Sequence, residues 1–186
     1  MVARKALGKK NRSANDIPPK PSPLLLRARG VDNWQDAAEW LRVRGIEDIE
    51  CITPDLAGVP RGKMMPTSKF TSNTSLALPS AVYLHTISGE YAPETEGFSY
   101  DARDGDIKLV PDLSTISVVP WETDPTAQVI CDIVDTNGRP ATYTPRNVLK
   151  QVLKLYEDRG WKPVVAPEIE FYLVAKNDDP DYPLRP

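Results

Sequence analysis

Two glutamates near the end of the chain, Glu168 and Glu170, are the residues whose type and spacing point most directly to chemistry. They lie in the run Val164-Val165-Ala166-Pro167-Glu168-Ile169-Glu170-Phe171-Tyr172-Leu173-Val174. Read as a strand, the run puts Val165, Pro167, Ile169, Phe171 and Leu173 on one face and both carboxylates on the other. The carboxylates then stand roughly 6.6 Å apart along the strand. Such a pair repels itself unless water or a cation lies between, and hard divalent ions favour oxygen ligands of this kind. A half-buried antiparallel strand with glutamates on its wet side has the same pattern. The elements upstream have to decide.

Composition narrows the field. The chain has 186 residues with a formal net charge of −3, which gives no reason to expect nucleic acid as a partner. No apolar run approaches the ~20 residues of a membrane span, so no membrane is expected and a cytoplasmic location is. The only cysteines, Cys51 and Cys131, have no metal or redox spacing and read as small buried hydrophobes. The sole histidine, His85, reads as a strand residue. Gly58 to Lys63 is not a phosphate-binding loop, because its glycines are too close and Met64 stands where Ser or Thr is required. Asp101, Asp104 and Asp106 lack the spacing and closing glutamate of a calcium loop and read as a surface turn.

The remaining pattern sets out the elements. Residues 1–31 read as a disordered basic tail. A helix follows, capped by Asp32 or Asn33, with Trp34, Ala37, Ala38 and Leu41 as its apolar stripe and Gly45 beyond its end. Residues 46–65 read as a hairpin, 67–70 as a helical turn, and 80–87, 107–110, 116–119 and 127–134 as strands. Thr144 and Pro145 open a second helix with Val148, Leu149, Val152, Leu153 and Tyr156 as its buried face and Gly160 closing it. The strand carrying Glu168 and Glu170 comes next. This is an α+β order with a compact first unit, then one helix and one strand that cannot bury a core alone.

Several of these pieces resemble the N-terminal portion of the glutamine synthetase family. Asp55-Leu-Ala-Gly58-Val-Pro-Arg61-Gly62-Lys63 resembles its early hairpin. Asp106-Ile-Lys-Leu-Val-Pro111-Asp112-Leu-Ser-Thr115, then Pro120-Trp121 and Cys131-Asp132, resemble its small domain. Tyr143-Thr144-Pro145-Arg146 resembles the start of the first catalytic-domain helix, and Ala166-Pro167-Glu168-Ile169-Glu170-Phe171-Tyr172 the strand after it. The wording is most similar to the γ-glutamylpolyamine (γ-glutamylputrescine) synthetase subgroup.

The resemblance implies a β-grasp domain over residues 32–137 and the start of the catalytic domain over 138–186. It implies ATP as co-substrate, Mg²⁺ or Mn²⁺ as cofactor, and glutamate with ammonia or an amine as substrates. Glu168 matches a ligand of the metal nearer the ATP phosphates, and Glu170 a ligand of the metal on the glutamate side. Family members are homo-oligomers with active sites between subunits. The other ligands and the catalytic groups of the family fall downstream of Pro186, so these residues alone are expected to be inactive. The alternative is a non-catalytic β-grasp fragment that acts only in folding or oligomer assembly.

Overall fold

The computed structural model describes residues 23, 27–72, 76–90, 105–179, 183 and 185. Most of the expected tail lies outside the described residues, as do Asp101 and Asp104 of the expected acidic turn. The chain forms two compact units, Met1–Val148 and Leu149–Pro186.

The first unit is built on a hairpin. Strands β1 (Asp48–Pro54) and β2 (Pro60–Pro66) pair antiparallel, with Cys51 opposite Lys63. Burial along β1 alternates, so that Ile49, Cys51 and Thr53 point inward. Strand β3 (Leu76–Pro79) pairs antiparallel with β4 (Asp106–Pro111). A two-residue strand β5 (Ser117–Val118) and β4 both pair antiparallel with β6 (Thr126–Val134). β6 also runs parallel to β1, with Ile49 opposite Ala127 and Cys51 opposite Val129. The mixed six-stranded sheet thus has the order β2-β1-β6-β4-β3, with β5 beside β6.

Helix α1 (Trp34–Val43) supplies the other side of the core. Asn33 caps it by accepting a bond from the Asp36 amide at 2.9 Å, and Gly45 leaves its end with φ of +63°. Ala37, Trp40 and Leu41 are fully buried from this helix. They join Ile49, Val129, Cys131, Ile133 and Leu109 of the sheet in one hydrophobic cluster. The architecture is α+β, as the order of elements requires.

Residues 27–31 correct the sequence reading, which placed them in the tail. Gly30 N–H donates to the Ile116 carbonyl at 2.8 Å and Val31 N–H to Leu113 at 3.0 Å, and the Val31 side chain is buried. Gly30 makes this approach possible: its φ is +75°, and a Cβ there would stand 2.6 Å from the Ser114 carbonyl oxygen.

The hairpin, the helical turn α2 (Thr67–Thr71), β4, β5 and β6 lie where the sequence places them, within a few residues. The strand expected over Ser80 to Ile87 does not form. Ser80–Leu84 is a 3-10 helix that follows β3, and His85 sits just beyond it in extended backbone. Ala81 and Tyr83 are both buried from this short turn, so a helical segment imitates the alternation of a strand.

Gly62 carries a specific requirement of the hairpin. A Cβ at this position would meet the Cys51 carbonyl oxygen at 2.0 Å, so β1 and β2 approach as only glycine permits. Gly62→Ala is expected to lower stability by about 1–3 kcal/mol. Urea unfolding of the chain reads this as a lower midpoint at constant slope. A midpoint equal to wild type would mean that β2 moves aside without cost.

Candidate functional site

Helix α3 (Pro145–Glu157) begins in the first unit and ends in the second. Its start is held by side chains. The Thr144 hydroxyl donates to the Ala141 carbonyl at 3.0 Å, and the Asn147 amide donates to Ile133 and Ala141 carbonyls at 2.7 and 2.9 Å. Ala141, Thr144 and Asn147 are all buried. Unpaired, those polar groups would each cost about 1–3 kcal/mol.

Arg146 joins three stretches that the sequence reading quoted separately. Its Nε donates to Asp132 Oδ1 on β6 at 2.7 Å, and its Nη2 donates to Asp112 Oδ2 in the turn after β4. Asp112 also accepts from the Ser114 hydroxyl and amide. All three charged side chains are about one-fifth exposed. In the sequence Asp112, Asp132 and Arg146 stand as separate landmarks, with nothing local to show that they meet. The planar fork of arginine suits two carboxylates arriving from different elements.

A second ion pair, its carboxylate buried, closes the loop of the β1–β2 hairpin. Asp55 Oδ2 accepts from Arg61 Nε at 2.9 Å, and Oδ1 accepts from the Ala57 and Val59 amides at 2.9 and 2.8 Å. Burial alone would raise the Asp55 pKa. The Arg61 bond and the Val59 and Ala57 amides outweigh it, and the carboxyl is held below its ordinary value. Beside this pair Thr53 Oγ1 and Tyr83 Oη are 3.0 Å apart, and Tyr83 meets Tyr143 edge-on with ring centroids 5.8 Å apart.

The cysteines bear out the reading of buried hydrophobes. Both are free and buried. They sit on one face of neighbouring parallel strands but two residues out of register. Their side chains nonetheless share a hydrogen bond, which lowers the Cys51 thiol pKa and, with burial, raises that of Cys131.

In the second unit, α3 closes at Gly160, where φ is +68° and the amide donates to Glu157 at 2.8 Å. Tyr156 and Trp161 pack edge-on across this turn. Two expectations fail from Val148 onward. Val148, Leu149, Val152, Leu153 and Tyr156 are not a buried face: each is between 39% and 56% exposed. Residues 164–174 do not form a strand, and Val164 and Val165, from its two expected faces, are both largely exposed. The physical reason is the same in both cases. A strand is defined by a ladder and an apolar stripe by what covers it, and the described residues provide neither.

Glu168 and Glu170 are therefore exposed on an irregular segment. As a donor set they have the hard oxygen chemistry that Mg²⁺ and Mn²⁺ take. They fit such an ion in kind but not in number, since no group of three or more His, Cys, Asp or Glu comes together among the described residues.

Comparison with known proteins gives these residues a context. The glutamine synthetase catalytic domain matches residues 142–185, a span that contains both glutamates. The chain is 33% identical over 139 residues to a glutamate–isopropylamine ligase of a Pseudomonas species, covering 73% of this chain and 30% of that protein. It is 32% identical over 162 residues to the γ-glutamylputrescine synthetase PuuA of Escherichia coli, covering 85% and 34%. To a glutamine synthetase of Halobacterium salinarum it is 30% identical over 152 residues, covering 80% and 31%. The chain belongs to the glutamine synthetase family.

Solved structures of the glutamine synthetase family agree in fold. Ligand-free GmaS superposes with a TM-score of 0.52 at 26% identity, over 66% of this chain and 26% of that one. A Plasmodium falciparum glutamine synthetase gives 0.55 at 16% identity, over 72% and 24%. The chain spans about a third of the length of these family members. Its curated relatives named above are glutamine synthetase-type ligases. No helix among the described residues is long and apolar enough to cross a membrane.

Proposed function

We propose that the chain is the N-terminal part of an ATP-dependent ligase that joins an amine to the γ-carboxylate of glutamate. The observation that carries this reading is the match of the glutamine synthetase catalytic domain across Glu168 and Glu170. Two of its relatives act, by their names, on isopropylamine and putrescine, which favours an amine over ammonia as the acceptor. In this reading ATP phosphorylates the γ-carboxylate and the amine displaces phosphate, leaving an amide. The first unit serves as a β-grasp domain: the hairpin β1–β2, the parallel pair β1–β6 and one helix across the sheet support that assignment.

Glu168 and Glu170 would hold the divalent ions. Such ions neutralise charge that builds up between phosphate and carboxylate. The chain's own part is to present two oxygen ligands two residues apart. A cytoplasmic homo-oligomer with active sites between subunits completes the proposal. Residues 1–186 alone are expected to be inactive.

The test uses the protein joined to a complete catalytic domain, assayed for phosphate release from ATP with glutamate and isopropylamine, putrescine or ammonia. Glu170→Gln is expected to raise the apparent Mn²⁺ constant by at least the ~10–100-fold that changes around a metal site cost. An unchanged metal dependence would remove Glu170 from the site.

A further inference from the structure

We propose that Asn137 is a site of spontaneous modification: the Gly138 amide closes on its side chain, and the isoaspartyl product loosens the hairpin that follows β6. The site lies at the tip of a tight turn. The Asp135 carbonyl accepts from the Gly138 amide at 3.0 Å, and Asp135 Oδ1 accepts from the Asn137 and Arg139 amides at 2.8 and 2.9 Å. The Asp135 amide donates to the Arg139 carbonyl at 2.8 Å and the Ala141 amide to Ile133 at 3.0 Å, so the turn brings the chain back onto β6. Thr136, Asn137 and Gly138 are all exposed.

Local chemistry separates Asn137 from the other asparagines among the described residues. Asn33 serves as a helix cap, with Oδ1 on the Asp36 amide and Nδ2 on the Asp36 carboxylate. Asn147 is buried and donates to two carbonyls. Asn177 accepts from the Asp179 amide. These three are followed by Trp34, Val148 and Asp178, whose side chains crowd the amide that would have to attack. The Asn137 carboxamide has no hydrogen-bond partner among the described residues, and glycine follows it. Gly138 has φ of +80°, and nothing lies within 4 Å of where a Cβ there would stand, so a ring closes at this residue without a clash.

The Gly138 nitrogen, its proton lost to solvent base, bonds to the Asn137 side-chain carbonyl carbon. The carboxamide nitrogen leaves as ammonia, taking up a proton from water. The resulting succinimide then adds one water. Breaking its bond to the side-chain carbon gives aspartate in the normal chain. Breaking its bond to the backbone carbon gives isoaspartate, with the chain rerouted through the side chain and lengthened by a methylene. Nothing is oxidised or reduced. The nitrogen attacks only when its hydrogen bond to the Asp135 carbonyl opens, an event of low cost at an exposed loop tip. The extra methylene falls between the Asn137 and Arg139 amides, which Asp135 Oδ1 holds together, and the new carboxylate repels Asp135. Both effects pull Arg139 away from β6.

The test incubates the full chain in mildly alkaline buffer, folded and in urea, beside Asp135→Ala and Asn137→Ser. Peptide mass spectrometry reads the replacement of NH by O, and enzymatic methylation of isoaspartyl carboxylates counts the isoaspartate. In the folded chain Asn137 is expected to convert before Asn33 and Asn147, and about 2–12-fold more slowly than in urea, the factor that one hydrogen bond is worth. Asp135→Ala frees the Asn137 and Arg139 amides and should speed conversion at least ~2-fold. Hydrogen exchange read by NMR at Arg139 and Ala141 should be faster in the isoaspartyl chain than in fresh Asn137→Asp, which carries the charge without the methylene. A folded chain with no isoaspartate at Asn137 once the unfolded chain has fully converted would overturn the site, as would a signal retained in Asn137→Ser. Isoaspartate at Asn137 with exchange equal to that of Asn137→Asp would overturn the loosening.

Discussion

Alanine in place of Asp55 is expected to cost the first unit roughly 3–5 kcal/mol, the range for breaking a buried ion pair from one side. The carboxylate is almost fully buried and accepts three bonds from the hairpin loop: Ala57 and Val59 amides on one oxygen, Arg61 on the other. Without it two amides and a guanidinium lose their acceptor. Arg61 has no slack to absorb that loss, since its Nη2 is already buried without a partner among the described residues. The pH dependence follows from the direction of the Asp55 shift. Its folded pKa is lowered, so its contribution is present above the unfolded value of about 3.9 and disappears as pH falls through the folded value. Urea unfolding of wild type and Asp55→Ala should therefore differ fully at pH 7 and converge below about pH 4. A gap that persists unchanged in acid would show that the charge of Asp55 contributes nothing.

Trp40→Ala is expected to be comparably severe, at about 3–5 kcal/mol. Trp40 is the largest fully buried side chain and stands where α1 meets the sheet. It also acts beyond its volume. Its indole Nε1 donates to the Arg27 carbonyl at 3.0 Å, and the Arg44 guanidinium lies 4.0 Å above its ring while donating to the same carbonyl at 2.6 Å. Removing the indole should loosen residues 27–31 along with the core. Hydrogen exchange at the Gly30 and Val31 amides, which donate to Ile116 and Leu113, gives that second readout. Trp40→Phe should lose the indole bond and less of the packing, and so cost less. A Trp40→Ala variant that unfolds within about 1 kcal/mol of wild type would show that the cluster collapses around the cavity.

The sequence was most legible where local chemistry decides the outcome. Asn33 and Gly45 bracket α1, Pro145 and Gly160 bracket α3, and the turn residues around Gly58 set the hairpin. It misled where a short segment satisfies two periods at once, as at Ser80–Leu84, where Ala81 and Tyr83 turn inward from a 3-10 helix. It was silent on contacts set by distant register. Nothing local brings Asp112, Asp132 and Arg146 together; that meeting depends on how β4 and β6 pair. The opposite held for Glu168 and Glu170. Their spacing was plain, and the family match spans them, but strand and ladder are properties of a pair of segments, and no ladder forms there among the described residues.

The parallel pairing of β1 with β6 bears on how the first unit is made. Asp48 faces Thr126 across that pair, so β1 leaves the ribosome roughly 80 residues ahead of its partner. At ~5–20 residues per second the interval is on the order of 4–16 s. β2 follows within a few residues and can close the hairpin at once, with Pro60 and Pro66 at its two ends and Lys63 between them discouraging further strands on its outer edge. The other edge of β1 stays open until β6 emerges. During synthesis the first unit is therefore a hairpin with one guarded side and one exposed side, and the guarded side is the one that pairs with no later strand among the described residues.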